Sequence, residues 1–146
     1  MSRIRGRDTL PEMIVRKALH ANGWRFRVCD KRFAGRPDVV VPKAKTIIDI
    51  RGCFWHRHGC KDSTMPKTNV AFWMEKWSKN VRRDRRNEAA WRDAGWNVIV
   101  VWECALTASR CERTLDAICA KLGAWAEERE SGKVRRVPHR QMLPRR

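Results

Sequence analysis

Tyrosine is absent from this chain, acidic residues are few beside basic ones, and nowhere do about 18 apolar residues follow one another. The missing apolar run excludes a membrane-spanning helix, and the opening Met1-Ser2-Arg3-Ile4-Arg5 lacks the apolar stretch of a secretory leader. A cytosolic protein is therefore expected. In that reducing compartment the six cysteines should ligate metal or be buried as thiols, not form disulfides. The shortage of acid is the stronger constraint. Against 33 Lys and Arg stand 16 Asp and Glu, a formal charge of +17, which signals a polyanionic partner. Nucleic acid is the first candidate and an anionic membrane surface the second. Neither an internal repeat nor a glycine-rich phosphate cradle occurs, which sets aside solenoids and nucleotide-binding loops.

What is present fits one domain of ordinary size, expected over residues 1–130, with a basic, acid-free and loosely ordered tail at 131–146. Residues 9–22, TLPEMIVRKALHAN, predict a helix: Thr9 and Glu12 have capping-box spacing, Pro11 suits the first turn, and Gly23 stops it. Alternation predicts a short strand over 24–28. Two β-branched runs, 38–41 and 46–50, predict an antiparallel hairpin across Pro42-Lys43-Ala44-Lys45. Residues 51–68 form a Cys/His-rich loop without periodicity, and 69–94 turn helical and end at Gly95. NVIVVW, 97–102, is expected to be a central strand covered on both faces, and 111–129 a last helix. This order describes an α/β fold, a mixed sheet flanked by helices. Trp24, Trp91, Trp96, Trp102 and Trp125 fall in periodic segments and are expected in the core, as are the thiols of Cys29, Cys111 and Cys119.

Three constellations carry chemistry. Cys53, His58 and Cys60 have the spacing C-x4-H-x-C, and Cys104 follows the apolar strand, so that four soft ligands could close a structural zinc tetrahedron with no open position. The competing reading is two cysteines that are merely neighbours in a loop. Asp38 and Asp49 fall on the two strands of the predicted hairpin, with Arg51 just beyond, an arrangement able to hold Mg²⁺ beside a phosphodiester. Strand-end aspartates that cap turns are the plainer explanation, but an Asp inside the apolar run TIIDIR demands a partner. Finally, Phe54 and Trp55 adjoin the zinc loop, and Trp73, Lys76 and Asn80 share one helical face, with Arg82, Arg83, Arg85 and Arg86 following. Aromatics interleaved with cations can wedge into a base step and reach base edges and phosphates, though most aromatics at such spacing are core.

The blocks PEMIVRKAL, GRPDVVV, GCFWHRHGC, FWMEKWSKNVRRDRR and GWNVIVVWECAL keep an order and spacing over residues 8–106 that resembles the very-short-patch repair (Vsr) DNA mismatch endonuclease family. The resemblance implies a restriction-endonuclease-like core with a structural zinc loop holding one Zn²⁺. It implies an Mg²⁺-dependent enzyme that nicks double-stranded DNA 5′ to the T of a T:G mismatch, the product of 5-methylcytosine deamination. By position, Asp38 would bind the metal, the backbone carbonyl of Ile50 would add a ligand, and His56 would be the general acid or base with Glu12 turned toward it. Phe54, Trp55 and Trp73 would intercalate, and Lys76 and Asn80 would contact the T:G pair. A monomer in the bacterial cytosol, at the nucleoid, is also implied. It would be linked in function to a cytosine-5 DNA methyltransferase, and its N-terminal arm would be reduced to Met1–Arg7. Where the better-known members carry other residues before Gly-Cys-Phe-Trp, this chain has Asp49-Ile50-Arg51, the acidic-x-basic pattern of the wider nuclease superfamily. Asp49 is therefore expected to ligate Mg²⁺ directly, with Arg51 steadying phosphate charge. The alternatives are a relaxed nicking or restriction-type nuclease on the same core, and a non-catalytic zinc-containing DNA-binding module.

Overall fold

The computed structural model describes residues 8–61 and 64–132; the expected arm at Met1–Arg7 and the tail beyond Gly132 lie outside them. Thr9 caps α1 (Leu10–Ala21), its Oγ1 accepting the Glu12 N–H at 3.5 Å, with Pro11 in the first turn. The return half of the box is redirected. Glu12 Oε2 accepts the N–H of Asp8 at 2.8 Å and a guanidinium N–H of Arg16 at 3.1 Å. Gly23, at φ +79°, carries the chain out of the helix, a conformation open to glycine at little cost.

The strands β1 (Arg27–Val28), β2 (Val39–Val41), β3 (Thr46–Arg51) and β4 (Asn97–Trp102) form one sheet in that spatial order. The first two pairings are antiparallel, and β3 with β4 is parallel, in register from Thr46↔Asn97 to Arg51↔Trp102. A parallel pair needs a long crossover, and α2 (Val70–Asp93) supplies it. β1 is shorter than the alternation over 24–28 predicts, because Trp24 and Phe26 pack on the core while only Arg27 and Val28 pair with β2.

β4 is an edge strand, not the central one that NVIVVW predicts. Its run is apolar because both its faces are covered. Alternation sends Val39, Val41, Ile48, Ile50, Ile99 and Val101 toward α1 and α3 (Cys111–Glu130), where they meet Val15, Leu19, Ile118 and Leu122. Val40, Ile47 and Val98 instead meet Trp91 of α2. Each such side chain withdrawn from water contributes about 1.5–3 kcal/mol. The same period of two puts Asp49 and Arg51 on the face of Ile47, and Trp102 on that of Val98, all toward α2. Trp91 is buried, and Trp24, Trp96 and Trp125 pack half-buried on the two clusters. Trp102 departs from the expectation of a core residue: it joins neither cluster and stacks on a histidine, because its strand position lies past the apolar layer.

Candidate active site and metal centre

Asp38 leads into β2 after Pro37, and its Oδ2 accepts the backbone N–H of Ile50 at 2.7 Å across the hairpin. Burial pushes this carboxyl up to about 8; the Ile50 N–H pulls it down, while Asp49, by charge and hydrogen bond, and Glu12, by charge, push it further up. Carboxyl groups pressed together in this way repel one another when ionised, and a cation between them would offset that. Oxygen donors of this kind suit a hard divalent ion. Asp38, Asp49, Ile50 and Glu12 line a cavity of about 870 Å³, whose walls also include Trp55, His56, Lys76, Asn80, Arg83 and Asp84.

His56 Nδ1 lies 2.5 Å from Asp84 Oδ2, on the buried side of α2. The resemblance turns Glu12 toward this histidine; the structure turns Glu12 to Asp8 and Arg16 and gives the Nδ1 partnership to Asp84. One helical turn beyond Asp84, Glu88 accepts from Arg51 Nη2 at 3.3 Å, while Arg51 Nε donates to Asp49 Oδ2 at 2.9 Å. Burial works against the charge of Arg51, but Asp49, Asp84 and Glu88 more than offset it and raise its pKa. Arg51 therefore sits behind Asp49, bound to carboxylates.

Two residues past the register pair Arg51↔Trp102 stand Cys53 and Cys104, so the parallel pairing itself delivers two metal-ligand candidates side by side. The loop then coils back, with the His58 N–H on the Cys53 carbonyl at 3.0 Å and the Cys60 N–H on that of His58 at 2.8 Å. The ligand atoms of Cys53, His58, Cys60 and Cys104 all lie within 4.8 Å of one another. A tetrahedral zinc, with Zn–S about 2.3 Å and Zn–N about 2.0–2.1 Å, sets an N···S edge of about 3.5 Å. His58 Nδ1 lies 3.6 Å from Cys53 Sγ and 3.5 Å from Cys104 Sγ, so the cluster fits such an ion. Burial pushes the Cys53 thiol up to about 12; the Cys104 backbone pulls it down, and the thiols of Cys60 and Cys104 push it further up. Only a cation at the centre makes thiolates favourable there.

Beside this cluster, Phe54 meets Trp55, Trp73 and Trp77 edge-on at 5.3, 5.1 and 5.4 Å. Trp77 is buried and anchors the group, while Phe72, 58% exposed, extends it outward past Trp73. Asn80 Nδ2 donates to the Trp55 carbonyl at 2.8 Å, and Lys76 Nζ stands 5.8 Å from the Trp55 ring, so the Trp73, Lys76 and Asn80 face of α2 does meet the loop. Arg83 reaches the cavity wall; Arg82 points to solvent and donates to the Ser78 carbonyl.

A family model described as DNA mismatch endonuclease Vsr matches residues 1–62. The chain is 42% identical over 125 residues to the DNA mismatch endonuclease Vsr of Escherichia coli, covering 86% of this chain and 80% of that protein. It is 48% identical over 106 residues to the type II nicking enzyme V.NmeAIP of Neisseria meningitidis, 73% of this chain and 76% of that protein. V.XorIIP of Xanthomonas oryzae, also a type II nicking enzyme, is 43% identical over 107 residues, 73% of this chain and 79% of that protein. The chain belongs to the Vsr DNA mismatch endonuclease family. The Vsr match holds Asp38, Asp49, His56 and three members of the Cys/His cluster; Cys104 and the α2 residues lie beyond it.

Within this Vsr chain, three residues of the site escape a reading of the sequence alone. Asp84 is the single acid in Arg82-Arg83-Asp84-Arg85-Arg86, where the run reads as a basic face; an acid kept in the middle of it is the available signal. Glu88 follows four residues later, which places it one turn along the same helix. Trp102 reads as one more core aromatic.

Proposed function

We propose that this chain hydrolyses one phosphodiester bond of double-stranded DNA, nicking 5′ to the T of a T:G mismatch left by 5-methylcytosine deamination, with Mg²⁺ as cofactor. The observation that carries the reading is the meeting, in one cavity, of Asp38 and Asp49 with the His56–Asp84 pair. Asp38, Asp49 and the Ile50 carbonyl would hold the Mg²⁺, which when bound neutralises phosphate charge and polarises the bond to be broken. With Nδ1 committed to Asp84, His56 moves a proton at Nε2, to or from an oxygen of the reacting phosphate or water. Glu12 adds negative charge near Asp38, and Arg51 supplies compensating positive field from behind Asp49. Phe54, Trp55 and Trp73 wedge into the base step, Lys76 and Asn80 face the mismatched pair, and Arg82 and Arg83 hold phosphates. Zinc in the Cys53, His58, Cys60 and Cys104 cluster is structural. Residues 1–130 act as one domain and one monomer in the bacterial cytosol, at the nucleoid, repairing the damage that a cytosine-5 methyltransferase makes possible.

One gel tests this. A labelled T:G duplex with Mg²⁺ should yield nicked product, absent for the matched duplex and for Asp38→Ala. Relatives named as type II nicking enzymes fit the nicking reading, and equal cutting of the two duplexes would establish a looser specificity. Binding without cutting would leave a DNA-binding module.

A further inference from the structure

Trp102 ends β4 on the α2 side of the sheet, half-buried and outside both apolar clusters. Its indole stacks on His58 with ring centres 4.0 Å apart and planes 7° from parallel. The Arg51 guanidinium lies 5.7 Å from the same ring, and His56 meets it edge-on at 6.4 Å. From the opposite side, α2 holds these last two side chains through Glu88 and Asp84. One indole thus touches a member of the Cys/His cluster and both groups that the α2 carboxylates grip.

We propose that Trp102 is a positioning residue through which the metal-held loop sets His56 and the Arg51–Asp49 pair. An imidazole bound to a metal through Nδ1 and tethered at Cγ to its own chain is held at two points, so a ring stacked on it is oriented with it. Arg51 is held between that ring and Glu88, with its Nε on Asp49 Oδ2. Loss of the indole face therefore leaves Arg51 and His56 held from the α2 side alone, which loosens Asp49 in its place beside Asp38 and loosens the His56 ring. The effect on rate rests on the nicking function assigned above; the effect on metal binding does not.

Trp102→Leu and Trp102→Met keep an apolar side chain and remove the π face, whereas Trp102→Phe retains one. In zinc-loaded protein, both aliphatic variants should release zinc to a colorimetric chelator and lose Mn²⁺ affinity by titration calorimetry, each by about tenfold or more. Single-turnover nicking of the T:G duplex should fall by a similar factor while DNA affinity stays within about twofold, and Trp102→Phe should recover most of each quantity. Zinc release and Mn²⁺ affinity unchanged in the aliphatic variants would overturn the proposal. So would faster zinc release with Mn²⁺ affinity intact, or a loss in Trp102→Phe as deep as in Trp102→Met. A wild-type protein that leaves the T:G duplex whole removes the assigned function but not this inference, which the two metal measurements then decide alone.

Discussion

In the proposed reaction, Asp84 determines which nitrogen of His56 is free to work. A carboxylate on Nδ1 fixes the tautomer and steadies the imidazolium that forms when Nε2 takes a proton. Asp84→Asn should therefore slow single-turnover nicking by roughly 10²- to 10⁴-fold, with DNA binding in a gel-shift assay unchanged. A wild-type rate would take the pair out of the chemistry. The pH response follows from Asp38. Its carboxyl must lose a proton before it can ligate, and burial with the nearby Asp49 charge holds that proton up to about 8. Affinity for Mn²⁺, measured by calorimetry, should then rise with pH and level off above about 8; a flat profile would mean the carboxyl is already ionised. In the metal-free protein the same shift subtracts stability as pH climbs from the ordinary carboxylate range toward 8, since the folded state holds a proton that the unfolded chain releases. That Asp38 meets Asp49, and that the four Cys/His residues cluster, was legible because ligand chemistry restricts which residue types are worth pairing. Asp84 was not, because among four arginines its charge is averaged away.

At the scale of elements, the loop between β3 and α2 is held by side chains and has few backbone pairings of its own. It contains no helix or strand among its described residues, and three of its side chains belong to the Cys/His cluster. Cys60→Ser, or stripping with a chelator, should lower the melting temperature by roughly 10 °C, corresponding to a loss of about 3 kcal/mol, as read by calorimetry. No change would make the cluster dispensable to the fold. Helix α1, the hairpin and α2 could be read from capping, β-branching and periodicity, since those signals are local. The place of β4 could not. An apolar run records that both faces are covered, and says nothing of whether a neighbour lies on each edge; Ile99 and Val98 look alike in sequence yet face α3 and α2 respectively.

Taken whole, the molecule meets DNA with a charge of +17, and its grip should weaken steeply with salt. Each phosphate neutralised contributes about −0.9 to the slope of log affinity against log salt, so Arg83→Gln should reduce that slope by about one unit in fluorescence titrations. An unchanged slope would place Arg83 away from the phosphates. Charge of this kind was legible from composition alone, whereas the candidate site required the β3–β4 register, a long-range pairing that no local pattern encodes. That register has a consequence for how the chain is made. Cys53, His58 and Cys60 leave the ribosome together, but Cys104 follows about 50 residues later, after all of α2 and β4. A nascent chain can offer a metal at most three of the four ligand atoms until β4 emerges and docks. The fourth ligand atom therefore joins the other three only once β4 has docked beside β3, so metal retention would report that this long-range pairing has formed.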